Sequence, residues 1–162
     1  MCMKPIVYLL CGLGGSGKST YAKKLMNSGL EKFSLDEYVY SKFGRDIVNL
    51  PEEVYLDHYR KAKIELDNKL AEIIKRGHSV VVDYGFWRRS SRDFYKKLVE
   101  DNGGEWKLIY LKASPEVLMN RLKERNKRTD ANAFPVTEKM LLGYIERFEE
   151  PNNEGEEIIQ QT

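Results

Sequence analysis

From Gly12 to Ser19 the chain reads Gly-Leu-Gly-Gly-Ser-Gly-Lys-Ser, which fits the pattern GxxxxGK[ST] at every fixed position. Residues of these types at this spacing bind phosphate. Glycines let backbone N–H groups approach anionic oxygens closely and accept positive φ, Lys18 can reach the terminal phosphate oxygens of a bound nucleotide, and the Ser19 hydroxyl is a ligand for Mg²⁺. Gly12, Gly14, Gly15, Ser16, Gly17, Lys18, Ser19 and Thr20 are therefore the expected ATP-binding residues. The alternative is a glycine-rich turn that binds nothing, and the flanking sequence argues against it.

Such a loop works between a buried strand and a helix N-terminus, where free N–H groups and the positive end of the helix dipole meet the anion. Pro5 to Cys11 is a run of β-formers suited to a buried parallel strand, and Ser19 to Met26 reads as a helix with apolar Tyr21, Ala22 and Leu25. Leu30 to Leu35 reads as a second strand ending at Asp36-Glu37, followed by a less regular stretch over 38–50. From Pro51 a long helix is expected, with Tyr55, Tyr59, Ala62, Leu66, Leu70 and Ile73 as its core stripe and Gly77 as its stop. Ser79 to Val82 is a β-branched run ending at Asp83, the form of a central strand buried on both faces.

Ser90 or Ser91 can cap the next helix, which ends near Asn102-Gly103-Gly104, and Trp106 to Leu111 is a fourth strand. Ser114 followed by Pro115 marks an N-cap and first helical position, opening a helix to about Arg125. A polar segment follows over 126–135, then a helix from Thr137 to Phe148 and a last short strand at Glu157 to Gln160. Five strands alternating with helices imply a three-layer α/β architecture around a parallel sheet with right-handed crossovers.

Length and composition bound the partners. The 162 residues suit a single domain, 1–162. With 27 basic and 25 acidic residues the net charge is +2, which does not suggest a nucleic-acid coat but leaves room for a local basic patch. Cys2 and Cys11 cannot build a disulfide framework, and His58 and His78 lack the neighbours of a zinc site. The first strand follows the N-terminus directly, and no apolar stretch is long enough to span a bilayer, so a cytoplasmic protein with no membrane association is expected. No segment marks an obligate protein partner.

The chain resembles, over nearly its whole length, the P-loop kinases of the polynucleotide 5′-kinase-like and zeta-toxin-like group. The resemblance is carried by the loop, by Phe33-Ser34-Leu35-Asp36-Glu37, by Val80-Val81-Val82-Asp83-Tyr84-Gly85-Phe86, and by Glu124-Arg125-Asn126-Lys127-Arg128 with Ala133-Phe134-Pro135-Val136. It implies a P-loop NTPase fold with a helical lid at about 121–136. It makes Asp36 the base that takes the proton of an acceptor hydroxyl, and Asp83 a residue that holds Mg²⁺ or the substrate. It makes Arg125 and Arg128 lid arginines over the phosphates. Asp36 can also be read as a helix N-cap, Asp83 as a turn residue, and Arg121 and Lys123 as a solvated helix end favourable to the dipole.

Polynucleotide 5′-kinases usually carry an arginine three residues after the base, where this chain has Val39. Arg88, Arg89 or Arg92 is then available for the substrate's phosphate, and Phe86-Trp87 for stacking on a base or for packing the loop. The expected function is an ATP- and Mg²⁺-dependent kinase that transfers the γ-phosphate to a hydroxyl of a small molecule or of a nucleic-acid 5′ end. The alternative is a non-catalytic nucleotide-binding switch, which has no need of Asp36 together with lid arginines.

Overall fold

The computed structural model describes residues 3–127 and 136–162. Five parallel strands, β1 (Ile6–Cys11), β2 (Glu31–Ser34), β3 (Val80–Gly85), β4 (Glu105–Lys112) and β5 (Glu156–Gln160), pair in the order β2-β3-β1-β4-β5. Between them lie α1 (Lys18–Met26), α2 (Leu35–Phe43), a 3₁₀ turn at Arg45–Asn49, α3 (Glu52–Lys75), α4 (Arg89–Asp101), α5 (Pro115–Arg125) and α6 (Glu138–Arg147). None of these helices is long and apolar enough to cross a membrane.

The apolar runs of the central strands supply both faces of the sheet. Val7, Leu9, Val80, Val82 and Leu108 pack against Leu66, Leu70 and Ile74 of α3 and Tyr95 and Val99 of α4. The intervening residues Leu10, Val81 and Ile109 point the other way, to Ala22, Tyr21 and Leu25 of α1. Alternation along each strand thus builds the three layers. The chain leaves β1 for the far edge at β2, returns to β3, and then crosses to β4 on the opposite side of β1. The carboxyl end of β1 is therefore the point where strand order reverses, the place at which open α/β sheets hold ligands.

Three local expectations change. The stretch 38–50 is helical rather than irregular, because Val39 and Ile47 bury themselves against Ala62 of α3 with Leu35, Tyr38, Tyr55 and Tyr59 around them. Pro51 stands just before α3, and the buried stripe closes on Ile74, with Ile73 only partly covered. Neither Ser90 nor Ser91 caps α4. That helix starts at Arg89, whose N–H donates to the Glu149 carboxylate at 2.9 Å.

The segment after α6 is tied down by a buried ion pair. Arg92 donates from Nε and Nη2 to the two Glu154 carboxylate oxygens at 2.8 and 3.0 Å and from Nη1 to the Phe86 carbonyl at 2.8 Å. Burial opposes the ionised form of Glu154, but the Arg92 hydrogen bonds, the Asn152 N–H and the nearby cations hold its carboxyl below the usual range.

Candidate functional site

The phosphate loop turns directly from β1 into α1. Gly12 N–H donates to the Gly85 carbonyl at 3.0 Å, which anchors the loop to the end of β3. A Cβ on Gly12 would meet Ser16 Oγ at 2.5 Å and the Leu111 carbonyl at 3.0 Å, and Gly17 has φ of +96° with Gln161 Oε1 2.9 Å from any added Cβ. Both positions therefore exclude side chains. Gly17 is also the N-cap of α1, which has no side-chain cap and no acid in its first turn. This helix end is left positive and open to an anion.

Lys18 lies in the first turn of α1, with Nζ donating to the Leu13 carbonyl at 3.1 Å. Ser19 Oγ lies 3.4 Å from Asp83 Oδ2. Asp83 reaches that position because β3 pairs with β1, Leu9 opposite Val82 and Cys11 opposite Gly85, which sets the second half of β3 beside the loop. Burial raises the Asp83 carboxyl above its ordinary range; Lys18 and Lys32 pull it back, while Asp36 and Glu37 push it further. Asp83 thus touches Ser19 and feels the charges of Lys18, Lys32, Asp36 and Glu37. Two hard oxygen donors side by side, Ser19 and Asp83, are the donor chemistry that suits Mg²⁺ alongside water and phosphate oxygens.

Asp36 belongs to the first turn of α2 rather than to the end of β2, which stops at Ser34. It is not the cap of that helix. Ser34 is, its Oγ accepting from Glu37 N–H at 3.3 Å, so the Asp36 side chain is left for another role. Tyr59 Oη donates to Asp36 Oδ1 at 2.8 Å. Glu37 is engaged by Lys32 at 2.6 Å.

Two arginines of α5 reach the loop. Arg121 donates to the Gly15 carbonyl at 3.2 Å, to Gln161 Oε1 at 3.3 Å and to the Thr162 carbonyl at 3.0 Å. It is thus a loop-bracing residue and not merely a solvated helix end. Arg125 Nη1 lies 3.5 Å from where a Cβ on Gly14 would stand. Arg128 lies outside the described residues, as does half of the expected lid, 128–135.

The arginines after β3 do not converge on Asp36. Arg92 is sealed in its pair with Glu154, Arg89 approaches Asp93 at 3.9 Å, and Arg88 is exposed with no side-chain hydrogen bond or ion pair among the described residues. Phe86 is 2% exposed and belongs to the core, and Trp87 rests on Tyr144 of α6 with ring centroids 4.9 Å apart. Both aromatics are packing residues here. A cavity of about 320 Å³ lies behind the loop, lined by Leu13, Ser16, Leu111, Leu118 and Phe148 among others. It touches neither Lys18, Asp36 nor Asp83 and forms the underside of the cradle.

Tyr59, Lys32 and Glu37 were not visible as site residues in the sequence. The only trace of Tyr59 was its place in the α3 stripe, where it and Tyr55 carry the hydroxyls that have to find partners among otherwise aliphatic positions.

The AAA domain family matches residues 7–151 of the chain. The shikimate kinase of Chlorobium phaeobacteroides (strain BS1) is 25% identical, over 98% of this chain and 79% of that protein. The L-seryl-tRNA(Sec) kinase of Methanococcus maripaludis is 24% identical, over 90% of this chain and 53% of that protein, so the chain spans about half of that relative. Among solved structures, the Mycobacterium tuberculosis APS kinase in complex with AMPPNP and APS matches with a TM-score of 0.66 at 18% identity, over 97% of this chain and 88% of that one. That likeness is one of fold.

Proposed function

We propose that this chain, which belongs to the AAA domain family, is an ATP-dependent kinase that transfers the γ-phosphate to a hydroxyl group. The observation that carries the reading is the contact of Ser19 in the loop with the Asp83 carboxylate, which also feels the charges of Lys18 and Asp36. Phosphoryl transfer asks a protein chiefly to position its reactants and to stabilise spread negative charge. The loop N–H groups and the α1 N-terminus take the β- and γ-phosphates, Lys18 leaves the Leu13 carbonyl for them, and Arg125 and Arg128 supply further cations. Mg²⁺, held by Ser19 and Asp83, would neutralise charge on the phosphates. Asp36 takes the acceptor's proton.

The acceptor is a small hydroxylated molecule. Val39 is fully buried in the α2–α3 core, and Arg92 is committed to Glu154. Neither can grip a phosphate of a nucleic-acid strand, which leaves exposed Arg88 alone of the residues considered for that part, and this favours a compact acceptor over a 5′-hydroxyl end. The kinase names of the relatives are consistent with either class.

The test is transfer of radiolabelled γ-phosphate across nucleosides, sugars, aminoglycosides, shikimate and 5′-hydroxyl oligonucleotides. Label in a small-molecule product is the expected result. Label in the oligonucleotide alone moves the acceptor to nucleic acid. No product, with ATP hydrolysed no faster than by Lys18→Ala, returns the chain to a nucleotide-binding switch.

A further inference from the structure

We propose that Tyr59 is a positioning residue for phosphoryl transfer, its hydroxyl holding the Asp36 carboxylate by Oδ1 so that Oδ2 takes the acceptor's proton. The inference rests on the reading of Asp36 as the base. Asp36 is exposed on the first turn of α2, and Tyr59 is its one hydrogen-bond donor among the described residues. An exposed carboxylate samples several rotamers, and each loses time out of the attack geometry. Tyr59 removes that freedom because it is itself fixed. It projects from the N-terminal third of α3, packs on the Val39, Ile47 and Ala62 core, and has Tyr55 at a ring-centroid distance of 4.8 Å.

Burial and the Asp36 charge both push the Tyr59 phenol above its ordinary range, so it remains a donor to the carboxylate. The same bond could serve only to tie α2 to α3, but that task has other means. Lys42 and Glu65 pair at 2.6 Å between the two helices, and the Val39 cluster joins them through apolar contact. In the transfer step the acceptor oxygen bonds to the γ-phosphorus while the bond from phosphorus to the β–γ bridging oxygen breaks. The electron pair leaves on ADP, and the acceptor's proton passes to Asp36 Oδ2 and then to solvent.

Water is the acceptor in the test, so no identified substrate is needed. Single-turnover phosphate release from MgATP and ATP affinity by calorimetry are measured for wild type, Tyr59→Phe, Asp36→Asn and the double variant. Tyr59→Phe is expected to slow release about tenfold at unchanged ATP affinity, and to cost nothing further in the Asp36→Asn background, because contacting residues acting through one group are not additive. The melting temperature should fall by no more than about 2–4 °C, the effect of one hydrogen bond in a chain of this size.

Wild-type release by Tyr59→Phe beside slow release by Asp36→Asn overturns the positioning role alone. An equal slowing by Tyr59→Phe in both backgrounds, or a much larger fall in melting temperature, makes Tyr59 a structural residue. Asp36→Asn releasing phosphate as fast as wild type removes the base, and the proposal with it.

Discussion

The cradle proposed for phosphate and the wall proposed to face the acceptor meet at Asp83 but are built in opposite ways. The cradle is one contiguous stretch, Gly12 to Ser19, whose shape follows from a strand, a glycine turn and an uncapped helix. The wall is assembled from distant pieces: Asp36 at the start of α2, Tyr59 on α3, and Asp83 within β3, which runs on to Gly85 rather than ending at the aspartate. A local motif fixes chemistry common to many enzymes, whereas a tertiary assembly lets the acceptor change without disturbing it. The consequence is a division of labour in which cradle variants should lose nucleotide and wall variants should lose transfer.

The largest effect is expected at the cradle. Lys18→Ala should weaken ATP binding and lower transfer by at least about 10²–10³-fold, the size of effect seen when one charge-stabilising group is removed from a transition state. The fold should survive, since among the described residues the Lys18 side chain makes only the hydrogen bond to the Leu13 carbonyl. Calorimetry beside a melting curve checks this. Unchanged ATP affinity in a folded Lys18→Ala protein would falsify the cradle assignment.

Next in size is Val39→Arg, which tests whether the wall could ever have carried the missing arginine. Val39 is 0% exposed, so a guanidinium there is an uncompensated buried charge costing roughly 3–5 kcal/mol. Urea unfolding should show that loss, with no gain of transfer to a 5′-hydroxyl oligonucleotide. A stably folded Val39→Arg protein that phosphorylates the oligonucleotide breaks the contrast, because the wall would then be adaptable at its core.

The smallest effect is a stability change at Asp83, where cradle and wall meet. Its carboxyl is raised above 3.8, chiefly by burial, so at neutral pH the folded state carries a charge it disfavours. That destabilisation is present above the folded value and is relieved as pH falls through it. Asp83→Asn should accordingly melt slightly higher than wild type near neutral pH, with the gain shrinking as pH is lowered toward about 4. A lower melting temperature for Asp83→Asn at neutral pH shows that the carboxylate stabilises the fold instead.

The same division explains what was legible in the sequence. The loop, the five strands and the Ser114 cap of α5 are local patterns, and the structure has them where the spacing put them. Asp36 was expected at a strand end but lies in the first turn of α2, where Ser34 takes the cap that Asp36 could equally have provided. The helical nature of 38–50 was missed because its apolar residues look irregular until α3 supplies the partner surface. The α4 cap came from Glu149, sixty residues away, and the Tyr59 hydrogen bond joins positions 23 apart. Arg92 stood beside Arg88 and Arg89 as a candidate phosphate ligand because nothing in its neighbourhood announces Glu154, 62 residues on. What sequence hides here is partner choice across long separations, which only packing decides.

Comparing ATP affinity with γ-phosphate transfer in Asp36→Asn most directly tests the claim that cradle and wall divide binding from chemistry. The account predicts wild-type affinity by calorimetry and transfer slowed by roughly 10²-fold or more, the usual contribution of a general base. Transfer at the wild-type rate, or a loss of ATP affinity equal to the loss of transfer, contradicts it.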